Sequence, residues 1–212
     1  MIVTALREGR RIAATANSHA AIQNLLRAVE EHADDQGVRF VGAYNPGSSG
    51  GNTYDSPTDM VAVVGNTGAQ APEITLLAGT AWLLSRPEHE GAFDLLFIDE
   101  AGQMALAAAA AAGRCATSIV MLGDPQQLPQ VNQATHPDGS GASVLGHLLQ
   151  NDAVIAGDRG VLLDTSWRMH PEVCSFISRL SYDDALTPHP DCARQHIACS
   201  GRLNGAGLRV VE

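Results

Sequence analysis

Short, uniformly apolar runs alternate with polar turns and with segments of helical periodicity along most of the chain. Residues 11–16 (RIAATA) read as a short buried strand after a basic turn, and Asn17 or Ser18 then caps a helix to about Glu31, with Ala20, Ala21, Asn24, Leu25 and Ala28 as a small-residue face. Residues 38–43 form a second strand. Residues 60–64 and 74–78 give two more, followed by a short helix over 80–85. Residues 95–103 (LLFIDEAGQ) run four apolar positions straight into Asp99 and Glu100, the pattern of a strand buried on both faces that ends at the edge of a sheet. An alanine-rich helix over 104–113 follows, ended by Gly113 and narrow enough to lie close to a sheet. Residues 116–122 are another apolar strand, stopped by the turn Gly123, Asp124, Pro125. The repeated order of strand, loop and helix predicts an α/β fold with a parallel sheet flanked by helices.

Beyond this first domain, residues 139–150 read as a helix, and the charged Gly turn at 158–160 is the expected boundary. A new strand over 161–163 and a helix over 171–180 would open a second domain, so the expected division is 1–157 and 158–212. The ending GLRVVE reads as a strand. Residues 44–59 are rich in Gly, Ser, Asn and Pro and poor in apolar side chains, and are expected as a mobile surface loop. Their glycines could cradle a phosphate, but no strand enters the stretch and no helix with a basic residue leaves it, which favours a linker.

Composition narrows the chemistry. With 212 residues, 45% hydrophobic, the chain can bury one sizeable core and the beginning of another. No apolar run approaches the roughly 20 residues that cross a bilayer, and the start has no signal-peptide order, so no membrane partner is expected and the cytoplasm is the default location. Cys115, Cys174, Cys192 and Cys199 form no CxxC pair, which fits reduced thiols. The formal charge of −10 requires any nucleic acid to be met by a local surface. All 13 basic residues are arginine, so a phosphate-binding loop of the form GxxxxGK[ST] cannot exist in this sequence.

The acid pair sets the candidate chemistry. Asp99 at a strand's carboxyl end can hold Mg²⁺ across the phosphates of ATP, and Glu100 can orient or deprotonate a water for attack on the γ-phosphate. Gln127, in a turn stiffened by Pro125 and Pro129, can touch that phosphate and report its loss. Arg168, from the second domain, can stabilise charge in phosphoryl transfer. Ser18 and His19 at one helix start suit a nucleic-acid phosphate, although Ser18 equally suits a plain cap; Thr80 and Trp82 are weaker candidates at another. His170 and Pro171 are expected to shape a turn and start a helix, and Trp167 to pack. His189, Cys192, His196 and Cys199 have the spacing HxxC…HxxC, which would place three of them on one helical face and makes them a zinc candidate, although nearby Pro188 and Pro190 and the lack of a supporting acid other than Asp191 favour chance clustering.

Taken in order, TANSHAAIQNLL (residues 15–26), LLFIDEAGQ (95–103), MLGDPQQLPQV (121–131) and LDTSWRMHPEVCSFIS (163–178) resemble motifs Ia, II, III and IV of superfamily 1 helicases, in the branch that includes the nonsense-mediated-decay helicase. The SWRMHP version and GTAWLLSR (79–86) are most similar to bacterial proteins that join such a helicase to a RecB-like nuclease domain. The resemblance implies a RecA-like P-loop NTPase domain with the beginning of a second one, and an ATP- and Mg²⁺-dependent motor on single-stranded DNA or RNA. It implies catalytic roles for Glu100, Gln127 and Arg168, nucleotide contacts from Asp99, Gln103, Gly123 and Asp124, and nucleic-acid contacts from Ser18, His19 and Thr80. A nuclease domain would accompany it in a full-length protein. Relative to that family the Walker A loop and the last helicase motifs are missing, so the expectation is a piece cut at both ends, inactive alone. A non-hydrolysing remnant that binds nucleic acid or a partner, and a decayed reading frame that aggregates through open sheet edges, are the competing expectations.

Overall fold

The structure is a computed structural model that describes residues 1–47, 53–127, 141–150, 152–201 and 204–208. The chain forms two compact units, Met1–Leu148 and Leu149–Glu212. In the first, α1 (Ile2–Arg7), β1 (Ile12–Thr15), α2 (His19–Asp35), β2 (Gly42–Tyr44), β3 (Val61–Val63), β4 (Leu76–Ala78), α3 (Ala81–Leu84), β5 (Phe93–Ile98), α4 (Leu106–Gly113) and β6 (Ala116–Met121) follow one another, and all but the last residue of α5 (Val144–Leu149) belongs to it as well. The six strands form one sheet in the order β3-β2-β4-β1-β5-β6, parallel throughout. The expected α/β architecture, a RecA-like parallel sheet flanked by helices, is the one observed.

Alternation along each strand divides the apolar residues between two layers. Ile12, Ala14, Leu76, Ala78 and Phe97 meet Ile2 and Leu6 of α1 and Ile22, Leu26 and Val29 of α2. Ala13, Leu77, Leu96 and Ile98 meet Leu83 and Leu84 of α3 and Ala109 and Ala112 of α4. Because all strands point one way, their carboxyl ends line a single edge of the sheet, which is where the polar residues of both candidate sites lie.

Local departures have packing reasons. The first residues, expected only to lack a signal sequence, form α1, because Ile2, Val3, Ala5 and Leu6 have a face to bury. Helix α2 runs to Asp35 and buries Ile22, Leu26, Val29, Glu30 and Ala33, while Ala20, Asn24 and Ala28 of the expected small-residue face stay exposed. The larger side chains remove more apolar area from water, and they set the helix rotation. Strand β2 begins later than expected, at Gly42, where a Cβ would stand 2.7 Å from Val61 Cγ2.

Within the stretch expected as a mobile loop, Tyr44 belongs to β2, Asn45 is buried, and residues 48–52 lie outside the described ones. Its last part is tied down by Glu30, which is fully buried and accepts from the hydroxyls of Tyr54 (2.6 Å), Thr58 (2.6 Å) and Ser56. Burial and the Glu30 carboxylate push the Tyr54 phenol well up. Among the described residues β6 pairs only with β5, and its Thr117, Ser118 and Ile119 are exposed.

The second unit contains β7 (Thr165–Ser166), α6 (Pro171–Ser181) and β8 (Thr187–Pro188), with β7 and β8 paired in parallel. Residues 161–163 are not a strand: Val161 and Leu163 are 85% exposed, and pairing begins only at Thr165. Of the expected terminal strand, Gly207 and Leu208 are non-strand and residues 209–212 lie outside the described ones. No described helix is long and apolar enough to cross a membrane.

Candidate active site

The loop after β5 is held from both sides. The Asp99 N–H donates to the Thr15 carbonyl of β1 at 2.9 Å, and on the other side the Leu122 N–H reaches the Ile98 carbonyl and the Ala101 N–H the Leu122 carbonyl, both at 2.8 Å. Asp99 and Glu100 emerge half-buried from this frame, and the Glu100 N–H donates to Asp99 Oδ1 at 3.0 Å. Glu100 has φ +53°, a left-handed conformation that costs a side-chain-bearing residue about 1 kcal/mol or more and is kept only where its surroundings impose it.

Two glycines let the acid loop and the turn after β6 close backbone to backbone. A Cβ on Gly102 would fall on the Asp124 carbonyl oxygen, and one on Gly123 would stand 2.8 Å from the Ala101 nitrogen and 2.9 Å from that of Gly102. Asp124 shapes the turn: its Oδ1 accepts from the Gln126 N–H at 2.9 Å and its carbonyl from the Gln127 N–H at 3.3 Å. Gln103 then bridges the two loops, with Nε2 3.4 Å from Glu100 Oε2 and 3.2 Å from Gln127 Oε1. Asp99, Glu100, Gln103, Gly123, Asp124 and Gln127 are thus brought together. Pro129, expected to stiffen the Gln127 turn, lies outside the described residues.

A second group lies at the carboxyl ends of β1, β2 and β4. Ser18 caps α2 with its hydroxyl, which accepts from the Ala21 N–H at 3.1 Å. His19 Nδ1 lies 2.8 Å from the Tyr44 hydroxyl, which also lies 3.3 Å from Gln23 Nε2. Thr80 is half-buried and precedes α3 without a side-chain capping bond, and Trp82 is 86% exposed. Tyr44 and Gln23 escaped sequence reasoning. The one available signal was an aromatic residue closing an apolar strand immediately before Asn45 and Pro46.

In the second unit Arg168 is exposed. Its N–H donates to Ser166 Oγ at 3.4 Å, and its carbonyl accepts from Gln195 Nε2 at 3.0 Å. Trp167, expected to pack, does so on one face only: it is 68% exposed and stacks on His189 with ring centroids 3.4 Å apart. His170 caps α6, accepting the Glu172 N–H at 3.3 Å, and Pro171 is the first helical residue, as expected. The 3₁₀ turn Pro190–Arg194 ends before His196 and Cys199, so Cys192, His196 and Cys199 share no helical face. Cys192 is buried with its thiol 3.7 Å from the Ser166 carbonyl, whereas His196 and Cys199 are exposed. Among the described residues no group of three or more His, Cys, Asp or Glu is placed to hold a metal ion.

No protein-family model matches the sequence. Over 107 residues, 49% of the chain, it is 36% identical to the probable helicase MAGATAMA 3 of Arabidopsis thaliana, of which it spans 12%. The likeness is to helicases. In three dimensions 89% of the chain matches 38% of an arterivirus nonstructural protein 10, a helicase solved with DNA, at a TM-score of 0.54 and 14% identity, a likeness of fold. The chain therefore spans about an eighth of the curated relative it matches and well under half of its structural neighbour.

Proposed function

We propose that the chain is part of an ATP-dependent helicase or translocase acting on single-stranded DNA or RNA, in the superfamily 1 branch its motifs resemble. The observation that carries this is the Gln103 bridge: one amide joins Glu100, on the loop after one strand, to Gln127, on the turn after the next. Coupling between the acid loop and a γ-phosphate-reading glutamine is what a motor needs to convert hydrolysis into movement. Asp99, a half-buried carboxylate at the sheet edge, fits Mg²⁺, which takes one or two carboxylates and fills its remaining positions with water and phosphate oxygens. When bound, the ion would neutralise phosphate charge. Glu100 would hold and deprotonate the attacking water, Gln127 would hydrogen-bond the γ-phosphate, and Arg168 would bring its guanidinium to the transferring group. Ser18, His19 and Thr80 would face the strand. The phosphate-binding lysine of such a motor is not in this sequence and would come from residues outside the 212.

In the protein that contains this chain, Glu100→Gln should lower strand-stimulated ATP hydrolysis about 10²–10⁴-fold and leave strand binding in place. An unchanged rate removes Glu100 from the reaction. The absence of lysine supports a second reading for the 212 residues alone: a module that binds a single strand without hydrolysis. It expects salt-dependent binding that survives Glu100→Gln, and no binding at low salt would sink it.

A further inference from the structure

His19, Tyr44 and Gln23 are joined by hydrogen bonds that favour one arrangement of their protons. Gln23 Nε2 lies 3.1 Å from the Thr53 carbonyl, which can only accept, so the amide cannot be flipped and its nitrogen faces that oxygen. The same nitrogen lies 3.3 Å from the Tyr44 oxygen and supplies its second hydrogen there. The Tyr44 oxygen accepts from Gln23, and among the described residues His19 Nδ1, 2.8 Å away, is the one acceptor within reach of its own proton, so donation to Nδ1 is the arrangement that leaves this buried hydroxyl satisfied. Tyr44 is fully buried, and burial raises its phenol pKa and keeps that proton in place. The rings are held edge to face, His19 on Tyr44 and Tyr44 on Tyr54, and Tyr54 is anchored by Glu30, so the tyrosine cannot swing away from the histidine. A neutral imidazole whose Nδ1 accepts carries its hydrogen on Nε2. Among the described residues that Nε2 meets no acceptor, and His19 is half-buried at the first position of α2, on the carboxyl edge of the sheet.

We infer that Gln23 and Tyr44 are positioning residues: they hold His19 as the Nε2–H tautomer, so that it presents a fixed hydrogen-bond donor to a phosphate oxygen of a single-stranded nucleic acid. The inference rests on the nucleic-acid reading of this edge. A contact that only tied β2 to α2 would need nothing of Nε2, whereas a phosphate oxygen, which only accepts, requires a donor there.

Long-range nitrogen–proton correlation spectra of the 212-residue chain identify the His19 tautomer without any variant, and a fluorescein-labelled oligodeoxythymidylate and oligouridylate read strand binding by anisotropy. The expected results are an unprotonated Nδ1 and a protonated Nε2 in the wild type, and mixed tautomers in Tyr44→Phe, which keeps the ring. Tyr44→Phe should also bind both oligomers about threefold to tenfold more weakly, the scale of one oriented hydrogen bond. Finding Nδ1–H in the wild type, or wild-type affinity in Tyr44→Phe, overturns the relay and leaves the nucleic-acid reading standing. If the wild type binds neither oligomer at low salt, the nucleic-acid reading of this edge falls, and the relay with it.

Discussion

Gly102 and Gly123 do at residue scale what no side chain could, because the acid loop and the following turn meet through their backbones. Gly102→Ala would push a methyl group onto the Asp124 carbonyl, and neither loop can yield without losing the hydrogen bonds that pin them to β1, to β5 and to each other. The expected cost is about 1–3 kcal/mol, read from the midpoint of urea unfolding. Gly65→Ala is the control, since a Cβ there meets nothing within 4 Å. It should be neutral or slightly stabilising, and equal midpoints for the two variants would refute the backbone contact. At this scale the acids and Gln127 were legible, because a strand ending in Asp-Glu and a turn rich in Pro and Gln are local patterns. The left-handed Glu100 and the Gln103 bridge were not, since both depend on where two loops stop in space.

Among the elements, α2 shows how packing overrides pattern. Its sequence offers a small-residue face and a larger apolar face, and the sheet takes the second, drawing Glu30 inside with it. A buried carboxylate is tolerable only when its oxygens are filled, and the hydroxyls of Tyr54, Ser56 and Thr58 fill them. Those three residues come from the stretch that composition marks as unable to pack; it packs through polar atoms, which hydropathy does not register. Glu30→Ala should cost about 2–4 kcal/mol and release the segment. Chymotrypsin should then cut after Tyr54, which is buried in the wild type. A variant whose Tyr54 resists the protease as the wild type does would show that the carboxylate is not the tether.

Over the whole molecule, burial is unevenly shared. The first unit packs both faces of its sheet, whereas between Asp152 and Leu208 only Cys174, Ser178 and Cys192 are buried among the described residues, and Val161, Leu163 and Leu180 are largely exposed. Opening free energy follows buried apolar contact, so amides of α6 should exchange with solvent well before those of β1, β4 and β5. Uniform protection across both units would contradict this.

What the sequence determined by itself was the order of the six strands of the first unit, the parallel α/β class and the position of the acids, because continuous apolar runs, caps and strand-ending carboxylates act over a few residues. Tertiary structure decided which face of α2 is buried, that Glu30 gathers a polar segment, that Gly102 and Gly123 must lack side chains, and that Tyr44 meets His19. Each of these is a contact between residues distant in sequence, fixed by the space left once the sheet has formed.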